Sequence, residues 1–197
     1  GRAVTVTSDT SGSPSVLHTF GESASAILAQ SIGGGGGRGG FSGAVTMGLG
    51  TDAAIALSAG GWGGAGSTAG AVTVTSYDDI ITHGAGSKGI LAQSIGGGGG
   101  DGGFSFAGTV TGNPTSGFSM AASVGGNGGS GADAGAVSVT SIGSIVTRGA
   151  HAAGIEAQSI GGGGGDGGFS VAGTFSYSEP LAAPAIAASV GGQGGPG

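Results

Sequence analysis

The chain has 197 residues, among them 54 glycines, with 4 basic against 10 acidic residues and a formal net charge of −6. So few Lys and Arg exclude the clustered positive charge that nucleic acid or an anionic membrane surface demands. The absence of cysteine excludes disulfides and thiolate metal sites. Hydrophobic residues reach 37%, more than an unfolded glycine-rich chain carries, and no run of 18 apolar residues offers a membrane-spanning helix. The apolar set is mostly Ala, Val and Ile, so any core is expected to be thin and closely packed. The opening GRAVTVTS has neither a charged n-region nor an apolar h-region, so a secretion signal is expected to have been removed or to lie outside this stretch.

In chain order, AVTVTS from Ala3 alternates Val with Thr, the period-two pattern of a half-buried strand. ESASAILAQSI is open to a short helix or a strand, and its brevity between glycines favours the strand. The tract Gly33–Gly37 leads through Arg38 to Phe41, after which Phe41, Gly43, Val45 and Met47 share one face of the next strand. The same face returns as Phe104, Phe106, Gly108 and Val110, and as Phe169, Val171, Gly173 and Phe175. A further strand follows, seen in Met120, Ala122 and Val124 and again in Ile186, Ala188 and Val190. A second glycine tract, GGWGGAG, GGNGGSG or GGQGGPG, comes next. SYDDIITHG and SIGSIVTRG supply short strands around Ile80–Ile81 and Ile145–Val146. TGNPTSG, from Thr111, reads as a turn, either closing an antiparallel hairpin or turning a solenoid corner.

These landmarks recur in fixed order. AVTVTS starts at Ala3 and Ala71 and AVSVTS at Ala136; AQSIGGGGG starts at Ala29, Ala92 and Ala157; SAGGWGG, SVGGNGG and SVGGQGG start at Ser58, Ser123 and Ser189. The steps lie between 63 and 68 residues, which predicts three units of one repeat domain, over 1–70, 71–135 and 136–197. The rhythm is that of an excerpt from a longer array. The expected fold is all-β and β-solenoid-like, with about five short strands per unit.

All three first tracts keep five glycines, one other residue, two glycines and Phe. Fixed length implies fixed geometry, and ordering glycine costs roughly 0.5–1 kcal/mol per residue beyond alanine. Close backbone approach can offset that cost. The tracts marked by Gly33 and Gly37, Gly96 and Gly100, and Gly161 and Gly165 are therefore read as structural elements packed as polyglycine II helices. Such helices are extended and threefold, like polyproline II, and the three-residue rhythm of the second tracts suits them. Tight turns and loops are the alternative. Phe41, Phe104 and Phe169 repeat in phase behind the tracts and are expected to be core anchors.

GILAQSIGGGGGDGGFS, followed by SVGGNGG and AGAVSVTS, resembles the glycine-rich repeats in passenger regions of bacterial autotransporters and related adhesin-like surface proteins. All three units share the likeness, so it covers nearly the whole chain. It implies an extracellular or cell-surface location, an elongated β-solenoid-like body, and a role in adhesion, surface structure or assembly. It brings no catalytic residue, and the translocator barrel of an autotransporter is not among these residues.

No catalytic, cofactor or metal site is expected. His18, His83 and His151 fall at different phases of the repeat, whereas a site built into the unit would keep phase. Asp101 and Asp166 loosely match a β-roll calcium motif, but the apolar position is displaced and the first unit has Arg38, so they read as solvated turn residues. The glycine matches to a dinucleotide motif lack the following helix that such a site needs. The T-x-T pairs Thr5/Thr7, Thr73/Thr75 and Ser138/Thr140 are similar to the flat face of some antifreeze proteins, and make ice or another surface ligand the alternative function. The leading expectation is a structural or adhesive region forming a rod or filament by stacking of repeats. Its partner is another copy, with host or abiotic surfaces as further partners.

Overall fold

The computed structural model describes residues 1–8, 15–48, 53–112, 118–177 and 184–197. Its secondary structure there is all β: β1 Val4–Ser8, β2 Val16–Thr19, β3 Ile27–Ile32, β4 Ser42–Gly48, β5 Ala54–Ala59, β6 Val72–Ser76, β7 Asp79–Thr82, β8 Ile90–Ile95, β9 Ser105–Gly112, β10 Ser119–Val124, β11 Val137–Ser141, β12 Ile145–Thr147, β13 Ile155–Ile160, β14 Ser170–Tyr177 and β15 Ala185–Val190. Every ladder is parallel, in five three-stranded sheets: β1-β6-β11, β2-β7-β12, β3-β8-β13, β4-β9-β14 and β5-β10-β15. Each sheet thus takes one strand from each of three rungs, β1–β5, β6–β10 and β11–β15, in a solenoid-like arrangement. Parallel neighbours need long connections, and here the rest of a rung supplies them. ESASAILAQSI contributes the strand β3. The strands flanking TGNPTSG, β9 and β10, belong to different sheets, so no hairpin joins them; residues 113–117 lie outside the described set.

Register follows from copying. Ile27, Leu28, Ala29, Gln30, Ser31 and Ile32 lie opposite the identical residues Ile90 to Ile95. The first three letters of AQSI then each have a task. Ala29 and Ala92 sit in the core. Gln30 Nε2 donates to Gln93 Oε1 at 2.6 Å, and Gln93 Nε2 to Gln158 Oε1 at 2.7 Å. Ser31 Oγ donates to the Arg2 carbonyl at 2.8 Å and accepts from Gly70 N at 2.9 Å. Ser94 repeats this clamp with the Gly70 carbonyl and Gly135 N. Stacked polar ladders of this kind satisfy groups that burial would otherwise penalise.

The chain forms two compact units, each drawing three segments from along the sequence. Unit 1 comprises 1–34, 67–97 and 132–162; unit 2 comprises 35–66, 98–131 and 163–197. Unit 1 holds β1–β3, β6–β8 and β11–β13 around a core of Ile27, Val72, Val74, Ile80 and Ile90, with Ala29 and Ala92. Its alternation has the ordinary sense, with Val72 and Val74 fully buried and Thr73 exposed. Between β2 and β3 and its counterparts, Ser23, Gly86 and His151 hold φ values of 54°, 69° and 56°. That left-handed corner suits glycine and costs the other two about 1–2 kcal/mol each.

Unit 2 holds the remaining six strands and inverts the pattern. The residues facing inward are small: Ala56, Ala107 and Ala121 form the core, with Ala44 and Ala172 against it. Buried hydroxyls fill the gaps, as where Ser105 Oγ and Ser123 Oγ meet at 2.7 Å.

Candidate functional surface

The glycine tracts are the most specific feature of unit 2. Their N–H groups bond with a period of three residues and in two directions. Gly36 and Gly39 donate to the carbonyls of Gly98 and Asp101, and Gly99 and Gly102 to those of Gly163 and Asp166, each at 2.7–2.8 Å. These bonds join the first tract of one rung to that of the next. A second set joins first and second tracts in rows. Along one row Gly64 N bonds Gly37 O, Gly100 N bonds Gly64 O, Gly129 N bonds Gly100 O, Gly165 N bonds Gly129 O and Gly195 N bonds Gly165 O, at 2.7–2.9 Å. Three residues on, Gly40, Gly61, Gly103, Gly126, Gly168 and Gly192 repeat the row.

In the middle rung, two of every three positions therefore face neighbouring backbone. A Cβ on Gly36 would overlap the Gly64 carbonyl, and one on Gly100 the Gly37 carbonyl, whereas one on Gly35 would meet nothing nearer than 3.8 Å. The open third position is where other residues occur: Arg38, Asp101 and Asp166 in the first tracts, Trp62, Asn127 and Gln193 in the second. Of the glycines marked in the sequence, Gly33, Gly96, Gly100 and Gly165 press on carbonyl oxygens, of Ser67, Ala132, Gly37 and Gly100 respectively. Gly37 and Gly161 face open space.

Phe41, Phe104 and Phe169 are not core anchors. They stack as an external column, with ring centroids 5.1 and 4.3 Å apart, and Phe41 and Phe169 are 69% and 64% exposed. The reason is the same period of three: 35, 38 and 41 fall on one phase, which points away from the packed tracts. An interior lined by alanine and serine has no room for a phenyl ring. Val45, Met47, Phe175, Leu57 and Val190 are also exposed, so both sheets of unit 2 turn large apolar side chains outward. A shallow groove of about 300 Å³ is lined by Phe106, Gly108, Val110, Gly173 and Phe175, among others.

Arg38 Nε lies 3.2 Å from Asp101 Oδ2, and Asp101 Oδ1 accepts from Asp166 N at 3.2 Å. Nothing in the sequence pattern signals this pairing, because Arg38 and Asp101 meet only once the rungs are in register. Both are solvent-exposed, so the pair adds at most about 1 kcal/mol and acts mainly in alignment. In unit 1, Thr5 and Thr7 lie opposite Thr73 and Thr75, which lie opposite Ser138 and Thr140, giving an outward array of hydroxyls. His18, Phe20 and His83 stack at 4.9–5.9 Å. Among the described residues no three His, Asp or Glu side chains gather closely enough to share a metal ion.

Asp78, 2% exposed, accepts from Ser15 Oγ at 2.7 Å and Ser15 N at 3.3 Å. The Ser15 hydroxyl is the main cause that holds its carboxyl below the usual aspartate range, with Ser8 adding to it. Asp79 is lowered likewise, chiefly by Ser144 N. A depressed folded-state value means that the stabilisation is present above the unfolded value, about 3.9, and is lost as pH falls through the folded one. Melting temperature is therefore expected to drop below about pH 4, and Asp78→Asn to lessen that drop; a parallel acid profile in the variant would assign the loss elsewhere.

Searches against protein-family models, curated proteins and solved structures found no match to this chain.

Proposed function

We propose that the chain is a structural and adhesive region of a secreted bacterial surface protein, whose three sequence repeats stack as solenoid rungs reinforced by polyglycine II helices. The observation that carries this reading is the three-residue hydrogen-bond period of the glycine tracts, with no side chain between them. That period is the one a threefold extended helix imposes, and such helices pack only where glycine recurs at the contacting phases. The result is a body built largely from backbone hydrogen bonds, with few charges and no thiols. Repeats of this kind gain stability from each neighbour they stack on. An elongated surface element benefits from that, since length adds cooperativity without requiring a larger core. The outward apolar faces of unit 2 supply area for adhesion.

Immunogold labelling of intact producing cells tests the location. Label on the outer surface, lost after brief external protease, is expected; label only after permeabilisation overturns the reading. The in-register Thr array of unit 1 favours ice or another ordered surface as the second reading, and thermal hysteresis of the purified chain separates it from a purely structural role.

A further inference from the structure

We infer that the side chains at the open phase of the glycine tracts hold the glycine-helix packing to two layers. They cover a flank of unit 2 that would otherwise take a further layer of glycine helix from a second copy of this chain. The inference rests on the polyglycine II reading above and adds to it what the non-glycine letters of the tracts do.

The bonding of the middle rung defines that flank. One turn of its first tract, Gly98 to Gly100, carries three N–H groups and three carbonyls. Gly99 N donates to Gly163 O in the next rung, and Gly98 O accepts from Gly36 N in the previous one. Gly100 N donates to Gly64 O, and Gly100 O accepts from Gly129 N, both in second tracts. Four of the six groups are thus bonded inside unit 2, and Gly98 N and Gly99 O are left without a partner among the described residues. Three residues on, the same count leaves Asp101 N and Gly102 O. The second tract matches it. Asn127 O, Gly128 N and both groups of Gly129 are bonded, while Asn127 N and Gly128 O are not. These leftovers occur in a rung with neighbours on both sides, so they belong to the flank and owe nothing to where the stack stops. A row of free donors beside a row of free acceptors is a template for another chain, as it is at a strand edge.

The residues at the open phase deny that template. Asp101 Oδ1 accepts from Asp166 N at 3.2 Å, and Asn127 Oδ1 accepts from Gln193 N at 3.0 Å. In both tracts an acceptor side chain lies along its column onto the outward amide of the next rung. Arg38 Nε lies 3.2 Å from the other oxygen of Asp101, which fixes the carboxylate in the column. Bulk adds to this. At the packed phases a Cβ would overlap the facing carbonyl, as at Gly100 and Gly129, so these helices approach only where glycine recurs. Arg38, Asp101 and Asp166 break the open phase at one turn of the first tract, and the phenylalanine column breaks it at the next. The column Gly35, Gly98 and Gly163 alone stays bare there, a strip about 9 Å long at the rise of a threefold extended helix. That is too short for a second helix lying along the tract. The tracts then stiffen one body without joining it to its neighbours, and lateral contact is left to the apolar strand faces.

The test compares two triple variants of the 197-residue chain by sedimentation velocity. Arg38→Gly/Asp101→Gly/Asp166→Gly bares two successive turns, whereas Arg38→Ala/Asp101→Ala/Asp166→Ala removes the same charges and keeps a Cβ on the flank. The two share net charge and every rung edge, so their difference reads the flank alone. The glycine variant is expected to associate at least about tenfold more tightly than the alanine variant, the worth of a few added backbone bonds. Its Gly98 amide should exchange with solvent more slowly as concentration rises. Equal association of the two variants, or none in either, overturns the inference. Added glycine costs backbone entropy, so a second measurement does without that variant. In the wild-type chain, hydrogen exchange should show the Asp166 amide protected and the Gly98 amide open. Asp101→Ala should speed exchange at Asp166 about tenfold, the worth of one hydrogen bond. An Asp166 amide that the substitution leaves unmoved also overturns the inference. None of these failures touches the polyglycine II reading, which alanine substitution along Gly98 to Gly100 decides, or the surface reading, which cell labelling decides.

Discussion

Gly100→Ala is expected to destabilise unit 2 by about 3 kcal/mol or more, at the upper end of what overpacking costs, while Gly98→Ala, two residues earlier, should stay within about 0.5 kcal/mol of wild type. The difference is one of phase. A Cβ on Gly100 would overlap the Gly37 carbonyl, and one on Gly99 the Gly129 carbonyl; both obstacles are backbone oxygens that accept hydrogen bonds, from Gly64 N and Gly165 N. Neither can swing aside as a side-chain tip would. A Cβ on Gly98 meets only the Gly163 carbonyl, at 3.6 Å, an ordinary contact. No left-handed backbone angle constrains any of the three, since Gly86 is the one described glycine with positive φ. Alanine at Gly98 also restricts the unfolded chain, a gain of roughly a few tenths of a kcal/mol. Urea denaturation of the three single variants, read as midpoints at constant m, should give one tolerant and two intolerant positions in a row. Equal tolerance at all three would mean that the tract is a loop, and the polyglycine II reading would fall.

Much of this architecture is legible in the sequence because the chain repeats itself. Strand positions come from the alternation of Val with Thr in AVTVTS, and the pairing of Ile27–Ile32 with Ile90–Ile95 follows from two copies of one phrase lying side by side. What alternation does not tell is which face is inside. At β1 and β6 the usual rule works, since valine outweighs threonine in apolar area. At β4, β9 and β14 the larger apolar set, Phe106, Val110 and Phe175 among it, points out, and Ala44, Ala107 and Ala172 point in. Hydrophobicity ranks the two faces one way and volume the other. Where two sheets meet across alanines, volume decides. Phe41, Phe104 and Phe169 were legible as a phased column but not as an external one, because their direction is set by the threefold period of the tract before them. Arg38 illustrates a further limit. Within its own repeat it looks like a departure from the Asp seen at 101 and 166, and only the stacked register makes it the partner of Asp101.

The core of unit 1 carries the other large effect. Ile90→Ala is expected to cost about 3–4 kcal/mol, within the range for emptying a buried isoleucine site, and Ile155→Ala about 1 kcal/mol or less. Both residues occupy the same column, facing each other across β8 and β13, so side-chain chemistry and strand position are matched. Their surroundings are not. Ile90 has rungs on both sides and is fully buried among Val72, Val74 and Ile80, while Ile155 is 45% exposed. A cavity at Ile90 is hard to close, because β8 is tied to β3 and β13 by two ladders and cannot move inward without breaking one. Partial collapse is what lowers the cost of such substitutions elsewhere, and a strand bonded on both edges has little of it available. Thermal and urea unfolding of the two variants measures the contrast. Equal losses at the two positions would mean that burial is not what separates them.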